Sequence, residues 1–343
     1  MPRQIGELRR LCMEWNDLVP LARARGISRM PSGTRINPRR HFHLDRAIAR
    51  LQVAELRAQL APFFAANQGA ALSPGLADTF GIEIECLMGP SVTETSLAAL
   101  IQADGVLCQN ERYNHTTRTH WKVTTDGSLG YGQGREIVSP PLSGEAGFEA
   151  LHKVCGVVTR TGGRINKDCG LHVHIGAQHR ELDFFKNAVR MYHHFERAID
   201  SFLAPSRRGS ASRWCRPVEY SPSALDAAST VDQIAASLRP AQSLRNWRGS
   251  GRYCKFNLQP FGELGTVEFR QHQGTVEARK IEMWTRFLLR FCTKAAATSK
   301  EEIAAGGRDL ASLITFIGLD EAEQAYVNER ASFFAQREQR STA

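Results

Sequence analysis

The stretch from Lys167 to Gly176 contains two histidines that alternate with aliphatic residues. Successive side chains of a β-strand point to opposite faces, so His172 and His174 would leave the strand on the same side. Two imidazoles side by side on a sheet are suited to bind a metal ion or a phosphate group. The pattern alone fits equally well a strand whose two histidines are simply solvated.

Two further stretches of the chain combine an apolar face with a face of charged side chains. Glu83 and Glu85 alternate with apolar residues in FGIEIEC, and Glu268 and Arg270 do so in TVEFRQH. A sheet face that only meets water normally carries threonine, serine, lysine and glutamine. Glutamates, histidines and an arginine on three strands instead indicate a site for hard cations and phosphate oxygens.

The composition is that of an ordinary soluble protein, with 42% hydrophobic and 23% charged residues among 343. This length suffices for one large domain or two smaller ones. The sequence shows no secretory signal and no apolar run near the roughly 18 residues of a membrane span. The eight cysteines follow no CxxC or zinc-ribbon spacing, so we expect reduced thiols and a cytoplasmic protein.

The net charge of +9 is concentrated near the N-terminus. Residues 1–75 contain twelve arginines, no lysine and five acidic residues, an excess of seven positive charges. Apolar spacing predicts two helical pieces there, followed by a linker from Ala65 to Gly75. Such a module would bind nucleic acid or an acidic partner, or it would simply cap the main domain.

Hairpin-like strands with helices between them predict an α+β fold, with a mostly antiparallel sheet that carries helices on its apolar face. We expect three parts: a basic helical module at 1–75, a catalytic domain at 76–300 and a helical C-terminal cap at 301–343. The basic, loop-rich stretch 204–250 is interpreted as a mobile lid. No glycine-rich phosphate loop of the P-loop or Rossmann type is present.

Four motifs together resemble the amidoligase family. FGIEIE, DGSL followed by EIVSPPL, CGLHVHIG and TVEFRQHQGT occur in the order found in that family, and the resemblance covers roughly residues 78–295. The family is related to the carboxylate–amine ligases that share the glutamine synthetase and glutamate–cysteine ligase fold. The resemblance therefore implies ATP-dependent amide bond formation, with two or three divalent ions in a funnel-shaped, curved antiparallel sheet.

The resemblance also implies the metal ligands. Glu83, His172 and Glu268 would hold one ion, and Glu85 and Glu136 would hold another, with Mg²⁺ expected and Mn²⁺ as the alternative. The neighbours of Glu136 give no clean alternation, so a surface glutamate is an equally good interpretation of that residue from the sequence alone.

The remaining roles follow from the same resemblance. His174 would reach the ATP phosphates, and Arg270 would stabilise the phosphoryl group during transfer. Asp126 would either orient the attacking amine or shape the turn after its strand. Cys169 stands between an aspartate and a glycine with no base assigned to it, and we interpret it as a small packing residue rather than a nucleophile.

Two other functions fit parts of the pattern. A hydrolase would use the histidines and glutamates to bind Zn²⁺ or Mn²⁺ and activate water, but this leaves Arg270 without a role. A nucleic-acid-binding protein would act through the N-terminal arginines. For a ligase, the partners would be ATP, a carboxylate and an amine. A peptide, a protein side chain, an amino acid and a polyamine all remain open as substrates.

Overall fold

The computed structural model describes residues 29–30, 32, 51–56, 78–129, 132–246 and 249–342. The chain divides into two compact units, Met1–Gly69 and Ala70–Ala343. In the first unit, residues 51–56 are helical, and the hydroxyl of Ser32 donates to Glu55 at 3.0 Å. Most of the predicted basic module and its linker lie outside the described residues, so these remain predictions.

The second unit is built on a sheet of seven strands. In chain order, the strands of the unit are β1 (Phe80–Leu87), β2 (Cys108–Asn110), β3 (Trp121–Thr125), β4 (Gly134–Val138), β5 (Leu171–Gly176), β6 (Glu219–Tyr220), β7 (Leu238–Arg239), β8 (Phe256–Asn257) and β9 (Thr266–Phe269). The large sheet has the order β2-β3-β4-β1-β5-β9-β8, and β6 pairs with β7 separately. Only β2 and β3 run parallel among the strand pairs of the described residues.

Helices fill the connections between these strands. They are α1 (Glu94–Ala103), α2 (Gly144–Arg160), α3 (Leu182–Ser201), α4 (Pro222–Ala227), α5 (Val231–Ser237), α6 (Phe261–Leu264), α7 (Ala278–Ala297), α8 (Lys300–Ala305), α9 (Leu310–Ile317) and α10 (Glu321–Thr342). The long helix α7 contacts both α2 and α3, and it also contacts β5.

Strand alternation separates the core from the polar face of the sheet. Ile82, Val173 and Phe269 are fully buried and belong to one hydrophobic core, which the long helices α2, α3 and α7 also enter. Burying each such side chain contributes about 1.5–3 kcal/mol. The burial fixes which face of every strand turns inward, and the charged residues between them must therefore share the opposite face.

Antiparallel pairing brings the charged residues of different strands side by side. Directly opposed residues of an antiparallel pair project to the same face, with Cβ atoms about 4.5–5.5 Å apart. Three such pairs form the centre of the polar face: Glu83 with His172, Glu85 with Glu136, and His174 with Glu268. Glu136 thus belongs to the charged face, which its sequence neighbours did not indicate.

The α+β fold with a mostly antiparallel sheet is confirmed, and the helices cover the apolar face as expected. The stretch 204–250 differs from the loop-rich prediction, because it contains α4, α5 and the β6–β7 pair. Elements of two to seven residues are too short for hydrophobic periodicity to indicate them. One arginine of this stretch, Arg207, is buried rather than solvated.

Two glycines in the connection from β3 to β4 provide a matched test of packing. A Cβ added to Gly134 would meet the carbonyl oxygen of Asp126 and lie 2.7 Å from Cβ of Leu129, whereas one added to Gly127 has no heavy atom within 4 Å. We expect Gly134→Ala to lower the free energy of unfolding by about 1–3 kcal/mol and Gly127→Ala to change it by less than about 0.5 kcal/mol. Urea denaturation of both variants checks this. Equal effects would mean that the connection relaxes around the added methyl group.

Candidate active site

Three side chains on the polar face converge closely enough to hold one cation. Glu83, His174 and Glu268 each offer a ligand atom, and these atoms all lie within 4.8 Å of one another. Nε2 of His174 is 3.5 Å from Oε1 of Glu83 and 3.9 Å from Oε1 of Glu268. The three residues come from β1, β5 and β9, which are neighbours in the sheet.

The hydrogen bonding of the two ring nitrogens of His174 indicates what this cluster can bind. Nδ1 of His174 lies 2.9 Å from the hydroxyl of Thr266. Nε2 is buried and has no hydrogen-bond partner among the described residues. When Nδ1–H donates to Thr266, Nε2 presents a lone pair toward two carboxylates. Three groups that can only accept then face one point, an arrangement that a metal ion satisfies.

His172 lies against the same carboxylates from the other side. Its Nδ1 is 3.0 Å from Oε2 of Glu83 and 3.8 Å from Oε1 of Glu268, and its Nε2 is 3.8 Å from Oε1 of Glu85. The sequence resemblance put His172 on this metal and His174 on the ATP phosphates. Both imidazoles reach Glu83 and Glu268, so the division of roles between them stays a prediction.

Glu85 and Glu136 form a second pair of carboxylates beside the first cluster. Oε2 of Glu85 accepts a hydrogen bond from the backbone N–H of Gly170 at 2.6 Å. Within the described part of the chain, no donor makes a hydrogen bond to the carboxylate of Glu136. The pair is positioned to hold a second cation, as the resemblance implies, and this role remains a prediction.

The crowding of negative charge shifts the pKa values in opposite directions. Burial alone would raise the pKa of Glu83, but the nearby imidazoles of His172 and His174 outweigh it and hold the pKa well below its ordinary value. The pKa of Glu136 is raised well above its ordinary value by burial and by the nearby carboxylates of Glu83 and Glu85. The site therefore favours the ionised form of Glu83 and the protonated form of Glu136.

Arg270 stands at the edge of the cluster. Its Nη1 donates to Oε1 of Glu268 at 2.5 Å, and Nδ2 of Asn257 donates to the other oxygen of Glu268 at 2.6 Å. Nε of Arg270 is buried without a hydrogen-bond partner among the described residues. One side of the guanidinium is thus fixed by Glu268, and the Nε–H remains available to a ligand.

The structure gives Asp126 a role in the turn after β3. Its Oδ1 accepts hydrogen bonds from the backbone N–H and the hydroxyl of Ser128, at 2.8 and 2.7 Å. Asp126 also lines the cavity above the sheet, so the geometry is compatible with both sequence interpretations. Cys169 is fully buried, and burial raises the pKa of its thiol, which fits the packing role.

Lys122 is a buried cation that the sequence analysis did not assign. It is 4% exposed, and its Nζ donates to the backbone oxygens of Asn114 and Thr116 at 2.8 and 3.2 Å. Burial lowers the pKa of Lys122. The register pairs Lys122 with Val138, two residues from Glu136 on the same face. The signal was the alternation of WKVTT, which puts the lysine among the charged residues.

Two cavities meet over the carboxylates. The larger has a volume of about 510 Å³ and the smaller about 380 Å³. Both are lined by Glu83, His115, Glu136, His174 and Leu264. The predicted cation sites therefore lie at the junction of two spaces, each of which can hold a ligand.

These observations agree with comparisons to known proteins. Residues 77–292 match the model of a family described as "Putative amidoligase enzyme". The chain belongs to the amidoligase family. This is the family that the four sequence motifs resemble.

The solved structures to which this chain is similar are distant in sequence. A bifunctional glutathione synthetase from Pasteurella multocida is 13% identical, with a TM-score of 0.43, over 76% of this chain and 47% of the synthetase. A glutamine synthase homolog is also 13% identical, with a TM-score of 0.34, over 84% of this chain and 70% of the homolog. The chain thus spans about half the length of the synthetase. No curated protein matches the sequence.

Among the described residues, no helix has both the length and the apolar character that a bilayer requires.

Removing one carboxylate from the cluster tests its affinity for metal. Glu83→Gln keeps the size of the side chain but removes its charge, so we expect Mn²⁺ to bind at least about tenfold more weakly than to the wild type. Isothermal titration calorimetry measures this directly. Glu149→Gln, which changes an exposed glutamate of α2, is the control and should bind Mn²⁺ like the wild type. Unchanged affinity in Glu83→Gln would exclude this cluster as the metal site.

The raised pKa of Glu136 predicts a pH dependence of stability in metal-free protein. The folded state holds this proton to a higher pH than the unfolded chain does, so the contribution of Glu136 to stability falls as pH rises above its ordinary pKa of 4.5. Glu136→Gln removes that loss. We expect its stability advantage over the wild type to grow from pH 5 to pH 8 in EDTA, and to shrink when Mg²⁺ is added. Urea denaturation across this range checks both effects, and a constant difference would contradict them.

Proposed function

We propose that this protein is an ATP- and Mg²⁺-dependent ligase that joins a carboxylate to an amine through an acyl-phosphate intermediate. The observation that carries the proposal is the set of Glu83, His174 and Glu268, of which the last two are buried, with Arg270 bonded to Glu268. This combination offers acceptors for a divalent ion and a donor for a phosphoryl oxygen within one small space. A hydrolase would need only the first of these.

The chemistry of the reaction explains why both parts are needed. A carboxylate is a poor acyl donor, because its oxygen is a poor leaving group. Transfer of the γ-phosphoryl group of ATP to that oxygen gives an acyl phosphate, which an amine attacks at carbon with release of phosphate. Phosphoryl transfer depends mainly on positioning and on neutralising the negative charge of the phosphates.

The donors on the sheet fit divalent ions of this kind. Mg²⁺ prefers carboxylate oxygens and usually keeps several waters, and Mn²⁺ also accepts imidazole nitrogen. Glu83, Glu268 and a histidine would hold one ion, and Glu85 with Glu136 would hold another. The buried, unpartnered Nε2 of the histidine at 174 supports the first assignment. When bound, Mg²⁺ supplies neutralisation of the phosphate oxygens and fixes their orientation.

Arg270 is proposed to bind the phosphoryl group as it passes from ATP to the carboxylate. Its attachment to Glu268 leaves little freedom to the guanidinium, so its remaining donors are oriented before the substrate arrives. As a metal ligand, His174 would not also donate to the ATP phosphates, which is the role that the sequence resemblance implied for it.

The two cavities suggest how the substrates divide the space. The smaller cavity is lined by Val138 and Pro141, apolar residues that are not buried in the core, which suit a nucleobase. The larger cavity is lined mainly by charged and aromatic side chains, which suit the carboxylate and amine substrates. The phosphates would then lie at the junction, over the carboxylates.

The amine must lose a proton to attack the acyl phosphate. Glu136 and Asp126 both line the larger cavity, and an ionised carboxylate within hydrogen-bond reach of the amine can accept this proton. We therefore assign Glu136 and Asp126 to binding the ammonium form and accepting its proton. A peptide, a protein side chain and an amino acid remain open as substrates at this level of detail.

Arg270→Lys tests the proposal, because lysine keeps the charge but lacks the planar set of donors. Pools of carboxylates are supplied with ATP, Mg²⁺ and hydroxylamine, which traps an acyl phosphate as a hydroxamate. We expect the wild type to form hydroxamate and ADP together, and Arg270→Lys to lower kcat by about a hundredfold or more while still binding Mn²⁺.

Arg160→Lys, on the exposed side of α2, is the control for this experiment and should keep the wild-type rate. Full activity in Arg270→Lys would remove the role of Arg270 in phosphoryl transfer. If metal binds but ATP neither binds nor turns over with any carboxylate, the ligase mechanism is wrong, and hydrolysis of amides without ATP becomes the activity to assay.

A further inference from the structure

Three arginines line the larger cavity without an acidic partner. Arg207, Arg213 and Arg252 all contribute to its wall, and none of them forms an ion pair with a described acidic residue. The same cavity is lined by the carboxylates of the predicted cation sites. An arginine close to several carboxylates normally forms an ion pair with one of them. The separation of these three arginines from the carboxylates of the same cavity therefore requires an explanation.

The first part of the explanation is that a buried ionic network anchors the segment that carries Arg213. Lys255 is completely buried, and its Nζ donates to Glu196 at 2.6 Å and to Asp200 at 2.7 Å. The other oxygens of these two carboxylates accept backbone N–H groups from Val218 at 3.0 Å and Gly209 at 3.0 Å. The acids of α3 therefore fix the segment on both sides of Arg213 and are themselves neutralised by lysine.

A second set of hydrogen bonds fixes the remaining arginines. Nε2 of Gln271, the residue after Arg270, donates to the backbone oxygen of Arg207 at 3.3 Å. The side chain of Arg216 donates to the backbone oxygens of Tyr253 and Ser250 at 3.2 and 3.0 Å. These bonds join the segment after α3 to the turn that contains Arg252, so both form one wall of the cavity.

Aromatic rings orient the two outer guanidinium groups. Arg213 lies over the ring of Trp214 at 4.4 Å, and Trp214 meets Tyr253 edge to face at 4.9 Å. Arg252 lies over the ring of Tyr253 at 4.9 Å and donates to its hydroxyl at 2.9 Å. Nε of Arg252 is buried and has no hydrogen-bond partner among the described residues. An arginine stacked on an aromatic ring keeps its edge free for a carboxylate.

We infer that the carboxylate substrate carries a second anionic group, which Arg213 and Arg252 bind while the first group is activated over the glutamates. The substrate class is thus a dicarboxylate, such as an acidic amino acid or a peptide that contains one. This inference rests on the proposed ligase function, because it names the acyl donor of that reaction.

Phosphate is the other anion that arginines recognise, and ATP would supply it. The apolar walls suited to a nucleobase belong to the smaller cavity, whereas Arg207, Arg213 and Arg252 line only the larger one. Nucleotide in the smaller cavity would direct its phosphates to the shared junction. We therefore assign the arginine wall to the carboxylate substrate, and the experiment separates the two sources.

The test uses dicarboxylic acids from succinate to adipate, and N-acetylglutamate, each compared with the analogue in which the second carboxylate is amidated. Hydroxamate formation with ATP, Mg²⁺ and hydroxylamine gives kcat/KM for each member. Calorimetry with Mg²⁺ and no nucleotide gives the Kd of the same acids, and a third titration gives the Kd of MgADP. Loss of one charged hydrogen-bonding partner typically weakens binding about tenfold to a hundredfold.

The variants are Arg213→Ala, whose side chain is exposed, and Arg252→Lys, which keeps the charge. We expect the wild type to prefer the dicarboxylate over its monoamide by about tenfold or more. Both variants should lose that preference through a raised KM, with the Kd of MgADP unchanged. Arg160→Ala on α2 is the matched control and should keep the preference.

Two other outcomes would overturn the inference, and a third would support it while contradicting the ligase function. Hydroxamate formation without any preference for the second carboxylate, or without an effect of the variants, overturns the inference and leaves the ligase function intact. Weaker MgADP binding with unchanged donor preference assigns the arginines to phosphate and also overturns it. If no hydroxamate forms but the dicarboxylate binds the wild type and not the variants, the arginine wall is supported and the ligase function fails.

Discussion

The mutual repulsion of four glutamates on one face of a sheet is the constraint to which the rest of this structure responds. Two unit charges about 4 Å apart repel by roughly 4 kcal/mol at an effective dielectric constant near 20. The fold offsets part of this with the imidazoles beside Glu83, with the donors of Arg270 and Asn257 to Glu268, and with the backbone N–H that reaches Glu85. The repulsion that is not offset raises the pKa of Glu136.

The same strand alternation that builds the core also builds the site. Every apolar residue that enters the core from β1, β5 or β9 fixes its neighbours on the opposite face, and antiparallel pairing aligns those neighbours across strands. A slip of one residue in β1 or β9 would bury a carboxylate among the helices, and a slip in β5 would bury the two histidines. The cost of that burial is so high that the register of the sheet is specified by its charges as well as by its core.

This link between core burial and the polar face explains which site residues could be predicted from the sequence. Alternation within a single strand was sufficient to assign Glu83, Glu85 and Glu268 to the polar face of the sheet, because each lies between buried residues. Glu136 required knowledge of its partner strand, since its position follows from pairing with Glu85. The family motifs supplied Glu136 in advance, whereas the alternation of its own neighbours did not.

Residues outside the motifs were harder to interpret from sequence. The arginines between α3 and β8 looked like a solvated, basic loop, because nothing in the sequence shows that α3 holds this segment through Lys255. Contacts between positions more than fifty residues apart leave no periodic signal. Short elements such as α4, α5 and the β6–β7 pair were missed for the related reason that they span less than two periods of any pattern.

The junction of the two cavities has a consequence for the order of events in catalysis. Each cavity opens to solvent, and the two have only five lining residues in common. A ligand in one cavity would therefore leave the entrance of the other open. Nucleotide and acyl donor bound in separate cavities would accumulate as a ternary complex in either order. Initial-rate plots for such an arrangement would have intersecting rather than parallel lines, and the proposed cycle would include no phosphorylated form of the free protein.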